Sequence, residues 1–330
     1  MNLNSEIIIR ANGSTQGGLG HLYRGLAISE CIPSGITFTF VTNYREIHKL
    51  STKKINVYLT QDDENDFKIF EKFKNLKVII IDGYQFDSQY QKKLKGEGYR
   101  SIYIDDLASE YMYSDIVINH SPGFVADDYK GVAHVKYFLG PKYSIVRKEF
   151  VNNRYQNEKR KGILIMMGGS DQFDITRKIL EYLNKHNNSD IPIRVVLGNN
   201  YEGVNKLYSF NNLNLEIYKN LDSTQLSQLM LNSMYGVMPA STVLYEYLMC
   251  GGNAISGFYV DNQKKVYDYF LQEKLIHGLG NLKEDFEESL IKALKEPMDR
   301  INTARNKGFD QKSQLRLKTI ISNLLFANND

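Results

Sequence analysis

Three isoleucines, Ile7-Ile8-Ile9, run into Arg10-Ala-Asn-Gly-Ser-Thr-Gln-Gly-Gly-Leu-Gly, and a helical pattern through Leu22, Leu26, Ala27 and Cys31 follows. Strand, glycine loop and helix in that order bring a backbone close to a ligand and face it with a helix N-terminus. Gly13, Gly17, Gly18 and Gly20 permit positive φ and carry no Cβ to block the approach. The imidazole of His21 stands where the loop enters the helix, and an imidazole titrates near neutral pH.

The arrangement recurs at Gly162-Ile-Leu-Ile-Met-Met-Gly168-Gly-Ser-Asp171. Around both turns, apolar strands alternate with helices. Strands are predicted at 36–41, 56–59, 77–82, 101–105 and 115–119, with helices over 63–77 and near 87–97. In the second half, strands are predicted at 162–167, 193–198, 215–218 and 235–239, the stretch 253–258 leads to Asp261-Asn262-Gln263, and helices are predicted over 174–185, 223–232 and 240–250. The third of these closes on Gly251-Gly252. Amphipathic helices are expected to fill 264–326. Such alternation predicts parallel sheets covered on both faces, with ligands beyond the carboxyl ends of the strands. Asn12, Asp82, Tyr84, Asp105 and Asn119 then share one rim. At 330 residues two domains are expected. They divide at the charged, asparagine-rich stretch 152–161 into 1–155 and 156–330, with the last helix free to pack back on the first domain.

Composition removes some classes of function. A net charge of +3, from 41 Lys+Arg against 38 Asp+Glu, argues against a nucleic-acid binder, while a pI near 8.5 tolerates anionic ligands. The longest apolar runs, 78–81 and 163–167, fall far short of the ~20 residues of a membrane span, and the first residues lack a signal-peptide pattern. A cytoplasmic protein without membrane partners is expected. Cys31 and Cys250 are expected to be buried thiols rather than a disulfide or a metal pair.

Several side chains carry alternative readings. His21 is a candidate acid–base group or a histidine satisfied by its loop. Asp171 caps the following helix or joins an anion site with the backbone of Gly168, Gly169 and Ser170. Glu246, mid-helix, lies on a solvated face, pairs with a lysine, or accepts from two vicinal hydroxyls of the kind a ribose offers. Asp105-Asp106 is the one metal candidate, and no histidine or third acid recurs at ligand spacing.

Seven short motifs then occur in order: Arg10…Gly-Leu-Gly-His21…Arg24, Asp82-Gly-Tyr84, Ile-Asp105-Asp106, Leu139-Gly-Pro-Lys-Tyr143-Ser-Ile-Val-Arg147, Met-Gly-Gly-Ser-Asp171, Ala-Ser-Thr…Glu246 and Asn262-Gln263. Over nearly its whole length the chain resembles the PseG family, which hydrolyses UDP-2,4-diacetamido-2,4,6-trideoxy-β-L-altropyranose in pseudaminic acid biosynthesis. It is similar, more distantly, to the MurG-type glycosyltransferases. The resemblance implies a GT-B α/β fold, two Rossmann-like domains with parallel sheets facing across a cleft. The N-terminal domain would carry the catalytic loop and the C-terminal domain would bind UDP.

Position by position, the resemblance implies catalytic roles for His21, Tyr84 and Asn262. Substrate contacts would come from Gly18, Gly20, Arg24, Gly168, Gly169, Ser170, Asp171, Ser241, Thr242, Glu246 and Gln263, with Glu246 on the ribose and Asn262-Gln263 lining the sugar pocket. The implied reaction is inverting, metal-independent hydrolysis at C1, with His21 as base on the water, no cofactor, and a monomer. Rival readings are a GT-B glycosyltransferase, a hydrolysing UDP-sugar 2-epimerase and a non-catalytic nucleotide-sugar-binding module. Two positions depart from the family: Asn12 replaces a usual Asp and Gly25 a common Cys. The first bears on how His21 is oriented or on which sugar is bound.

Overall fold

The computed structural model describes residues 4–13, 19–51, 54–60, 65–151, 160–169, 171–186, 190–198, 201–296 and 307–327. Contacts divide the chain into two units, Met1–Lys148 with Lys312–Asp330, and Glu149–Gln311.

The N-terminal unit is built on strands β1 (Ile7–Ala11), β2 (Phe38–Thr42), β3 (Val57–Leu59), β4 (Val78–Asp82), β5 (Arg100–Ile104), β7 (Ile116–Asn119) and β9 (Lys136–Leu139). They form one sheet in the order β3-β2-β1-β4-β5-β7-β9, and every pair is parallel. Two short strands, β6 (Tyr111–Met112) and β8 (Lys130–Gly131), pair separately. The unbroken apolar run of β4 follows from burial on both faces. Val78 and Ile80 enter a core with Leu22 and Leu26 of helix α1 (Gly20–Ser29), while Ile79 and Ile81 enter another with Phe67, Phe70 and Phe86. The last helix, α11 (Ser313–Leu325), adds Leu317, Ile320, Ile321 and Leu325 to the first core. Arg100 holds its end by donating to the carbonyls of Leu324 at 2.7 Å and Ala327 at 3.0 Å, a cation at a helix C-terminus.

The helix expected over 63–77 is limited to α2 (Asp66–Phe70) among the described residues. Beyond it the chain tightens, with Lys72 N–H on Ile69 O and Phe73 N–H on Phe70 O. This buries Phe73 and delivers Lys77 to Glu6 O at the start of β4. Helix α3 (Ser88–Gly96) lies where its pattern placed it, capped by the Asp87 carboxylate on Tyr90 N–H. The short helix α4 (Lys148–Val151) ends the run.

The C-terminal unit holds a six-stranded parallel sheet, β12 (Leu215–Lys219), β11 (Ile193–Leu197), β10 (Ile163–Ile165), β13 (Tyr235–Pro239), β14 (Asn253–Phe258) and β15 (His277–Asn281), in that order. Helix α5 (Ile175–Lys185) buries Ile175, Ile179, Leu180 and Leu183 at the expected helical spacing. The remaining helices are α6 (Val204–Leu207), α7 (Ser223–Asn232), α8 (Thr242–Met249), α9 (Asp261–Gln272) and α10 (Glu287–Lys295).

Strand β15 corrects the expectation that helices fill 264–326. Its sequence, His-Gly-Leu-Gly-Asn, has neither alternation nor β-branched residues. It pairs with β14 through a register shift at Ser256/Gly257, where a Cβ on Gly257 would stand 2.6 Å from Gly280 O. Close backbone approach, not side-chain preference, selects these residues.

No helix among the described residues is long and apolar enough to cross a membrane. Cys31 and Cys250 are buried free thiols in different units, each pushed up to about 12 by burial.

Candidate active site

In the N-terminal sheet the strand order reverses at β1 and β4, and such a switch point opens a crevice at the carboxyl ends. Asn12 follows β1, α1 starts nearby with His21, and Asp82 ends β4. Three candidate residues meet here. His21 Nδ1 lies 2.7 Å from Asp82 Oδ1, and its ring stands edge-on to Tyr84 with centroids 5.0 Å apart. Arg24, one helical turn after His21, donates Nε to Asp82 Oδ2 at 2.9 Å, Nη2 to Asp82 Oδ1 at 2.5 Å and Nη1 to Asp106 Oδ2 at 2.9 Å. The Tyr84 hydroxyl donates to Asp106 Oδ2 at 3.3 Å.

Exposure separates these groups by task. Asp82 is fully buried and Arg24 nearly so, whereas the His21 side chain is 23% exposed and Tyr84 is half exposed. Burial alone would raise the Asp82 carboxyl; Arg24 and His21 beside it outweigh burial and hold it below the usual carboxylate value. Burial likewise opposes the Arg24 charge, and Asp82 and Asp106 more than restore it. Arg24, expected to contact substrate, donates from its guanidinium to two carboxylates, Asp82 and Asp106.

The polar contacts of position 12 and of the imidazole run to different groups. Asn12 Oδ1 accepts from Arg10 Nη1 at 2.5 Å and from Asn43 N–H at 3.1 Å, and the carboxylate partner of His21 is Asp82. At position 25 a Cβ would meet Phe40 Cζ at 2.7 Å, so the Phe40 ring fills the space a cysteine needs. Gly20 opens α1 with nothing within 4 Å of a built Cβ. Gly18, expected to bind substrate, lies outside the described residues.

The adjacent acids at 105 and 106 have different tasks. Asp105 accepts from Leu107 and Ala108 N–H and from the Tyr129 hydroxyl at 2.7 Å, which makes it a loop anchor. Asp106 belongs to the Arg24 cluster.

His120, just past β7, is buried and takes Ile145 N–H on its Nδ1 at 3.1 Å. Burial first, then the Arg24 charge, pushes its pKa down to about 3. Between that value and the ordinary ~6.5 the unfolded chain binds a proton that the folded protein refuses. His120 therefore makes stability fall as pH drops through this window, by at most about 1.4 kcal/mol per pH unit, and costs nothing above it. Urea unfolding of wild type and His120→Asn at pH 4 to 7 should show a difference that grows toward acid on the wild-type side. A pH-independent difference would refute the assignment.

In the C-terminal sheet the order reverses at β10 and β13. Past β10, Gly168 turns at φ +89° and Gly169 packs on Gly198, whose Cβ would stand 2.0 Å from Gly169 O. Tyr259, beyond β14, closes the turn by donating its hydroxyl to Met167 O at 3.3 Å. Gln263 is buried, with Oε1 accepting Tyr259 N–H at 3.1 Å, and Asn262 beside it is exposed. Ser241 and Thr242, both partly exposed, open α8 past β13. Ser170 lies outside the described residues.

Two acids resolve differently from one another. Both Asp171 oxygens accept from the first turn of α5, from Ile175 N–H at 2.9 Å and Thr176 N–H at 2.8 Å, so the carboxylate caps that helix. Burial raises its pKa despite those bonds. Glu246 is 5% exposed, which excludes the solvated face. Sequence alone gives Asp82, Asp106, Gly198 and Tyr259 no catalytic or substrate-binding role. Rim position and the Asp82-Gly-Tyr84 motif flag Asp82, the Asp105-Asp106 pair flags Asp106, and a strand-ending glycine is the only sign of Gly198.

Two parallel α/β units, each with side chains or a glycine turn gathered at a switch point, define a double-Rossmann protein of the GT-B class. MurG of Acinetobacter baumannii superposes with a TM-score of 0.65 at 13% identity, over 96% of this chain and 99% of that one. By sequence, the chain is 26% identical over 271 residues to the UDP-2,4-diacetamido-2,4,6-trideoxy-β-L-altropyranose hydrolase of Campylobacter jejuni, covering 78% of this chain and 93% of the relative. The resemblance to the PseG hydrolases thus extends well beyond the short motifs. It is 30% identical over 305 residues to an uncharacterized protein of Methanocaldococcus jannaschii, covering 85% of this chain and 61% of that longer protein. The chain therefore spans less than two thirds of this archaeal relative. No family model matches the chain.

Proposed function

We propose that the protein hydrolyses a UDP-activated 2,4-diacetamido-2,4,6-trideoxy sugar at C1 with inversion, as a step of nonulosonic acid synthesis. The observation that carries this reading is the His21 imidazole, partly exposed at a switch point and backed by a buried carboxylate at 2.7 Å. A base that meets water must present one nitrogen outward and have the other held. His21 Nε2 has no hydrogen-bond partner among the described residues. Water attacks C1 from the face opposite the nucleotide and gives a proton to Nε2. The C1–O bond to the nucleotide breaks as the new bond forms, its electron pair leaving on UDP.

Under this reading the C-terminal unit holds the leaving group. Charge growing on the pyrophosphate is met by N–H groups of Gly168 and Gly169 and by the N-terminus of α8 at Ser241 and Thr242. Glu246 accepts from the ribose hydroxyls, and Asn262 and Gln263 contact the sugar. Tyr84 borders the imidazole.

Turnover of UDP-deoxyaminosugars in ¹⁸O-water tests the reaction. Label is expected on the C1 hydroxyl of the sugar and none on UDP. Label on UDP, or no UDP release from any sugar of the panel without an added acceptor, would sink the proposal. Glu246→Ala should weaken UDP binding by roughly 10- to 100-fold, the loss expected when an ionised acceptor is removed. An unchanged calorimetric Kd would remove the ribose role.

A further inference from the structure

The cluster at the N-terminal switch point contains more charge than a lone base requires, and its wiring says which imidazole nitrogen reacts. Two groups crowd His21 Nδ1: Asp82 Oδ1 at 2.7 Å and Arg24 Nη2 at 2.8 Å. Both contacts cannot be hydrogen bonds of one neutral ring. An ionised carboxylate only accepts and a guanidinium only donates. If Nδ1 were bare, its lone pair would face the carboxylate oxygen. If Nδ1 carries the proton, it donates to Oδ1, and Arg24 Nη2, which donates to the same oxygen at 2.5 Å, is a neighbour rather than a partner. The second arrangement satisfies the buried carboxylate; the first leaves it facing another acceptor.

We propose that Asp82 and Arg24 are positioning residues for His21: Asp82 accepts the Nδ1 proton, Arg24 locks that carboxylate in place, and Nε2 is thereby the nitrogen offered to water. The inference rests on reading His21 as the base. Arg24 suits the task because its fork takes both oxygens of Asp82, through Nε and Nη2, and its third nitrogen reaches Asp106. Asp106 also accepts from the Tyr84 hydroxyl, and the Tyr84 ring lies against His21, so four side chains tie the imidazole. The charged and titratable groups around His21 are Asp82 from β4, Arg24 from α1, and Tyr84 and Asp106 from the loops after β4 and β5. His120 lies near Arg24 and stays neutral. With the imidazole neutral the charges of Asp82, Arg24 and Asp106 leave one net negative charge beside the ring. The imidazolium formed when water is deprotonated is balanced without any group having to move.

Three measurements decide the matter. In the wild-type protein at neutral pH, ¹⁵N shifts of the His21 ring, assigned by difference from His21→Gln, should show a protonated Nδ1 and a bare Nε2. The opposite tautomer, or an imidazolium, would overturn the proposal whatever the reaction proves to be. Asp82→Asn, whose amide can donate to Nδ1 and reverse the tautomer, should lower kcat by about 10²- to 10⁴-fold with the UDP Kd unchanged. Arg24→Lys, which keeps the charge and loses the fork, should lower kcat less, again with the UDP Kd unchanged. Full kcat in both variants, or a loss confined to KM, would also overturn it. A wild-type protein that releases no UDP would sink the hydrolase reading and leave the tautomer measurement standing.

Discussion

Replacing His21 with alanine is expected to abolish measurable UDP release, a loss of about 10²- to 10⁴-fold, while UDP still binds. The size follows from what the imidazole does and what it does not do. It contributes a proton acceptor, and contact with the nucleotide is assigned to the other unit, so ground-state affinity should survive. Phenylalanine at this position fills the same volume and keeps the ring against Tyr84 without a nitrogen, which separates chemistry from packing. Removing the ring also leaves Asp82 with Arg24 as its sole described partner. Thermal unfolding should therefore be recorded alongside turnover to show that the carboxylate remains housed. Undiminished UDP release in His21→Ala would take the imidazole out of the mechanism.

The parts of this fold that were legible in the sequence are those decided locally. The run 78–81 reads as a strand buried on both faces because apolar side chains leave no polar side to wet, and it sits between two cores. Helix α5 reads from Ile175, Ile179, Leu180 and Leu183 for the same reason. What failed was decided at a distance. Strand β15 exists because Gly257 and Gly280 allow two backbones to approach, a fact about the pair and not about either segment. The helix over 63–77 stops early because Phe73 is drawn into the core and Lys77 into the sheet.

The site follows the same division. His21 and the glycine turns could be found from residue type and order. The pairing of His21 with Asp82, 61 positions away, requires β1 and β4 to be neighbours, which no local pattern states. Arg24 was named for its motif position, but whether it faces a ligand or a carboxylate depends on what stands at the ends of β4 and β5. Glu246 could not be separated from a solvated acid by spacing, because its helix is apolar on nearly every side. Burial of Val243 through Met249 made the distinction.

A second large effect is expected at Gly198, a residue with no functional group. Its hydrogen points at the backbone of Gly169, so a methyl group there would lie 2.0 Å from the carbonyl oxygen, 2.4 Å from the carbon and 2.5 Å from Cα. Real contacts of this kind need more than about 3 Å, and a backbone cannot yield by a rotamer change. Gly198→Ala must therefore displace the turn that carries Gly168 and Gly169, and with it the direction of the N–H groups assigned to the pyrophosphate. Losing one well-aimed charge-assisted hydrogen bond corresponds to a weakening of about 10- to 100-fold in UDP affinity. The sheet beneath, held by β10, β11 and β13, has no reason to unfold with the turn. Gly96→Ala, where a built Cβ meets nothing within 4 Å, controls for the substitution itself. Calorimetry should show UDP binding lost or weakened in the first variant and intact in the second, with inorganic pyrophosphate following the same order. A folded Gly198→Ala protein that binds both ligands as the wild type does would mean that the anion is held elsewhere.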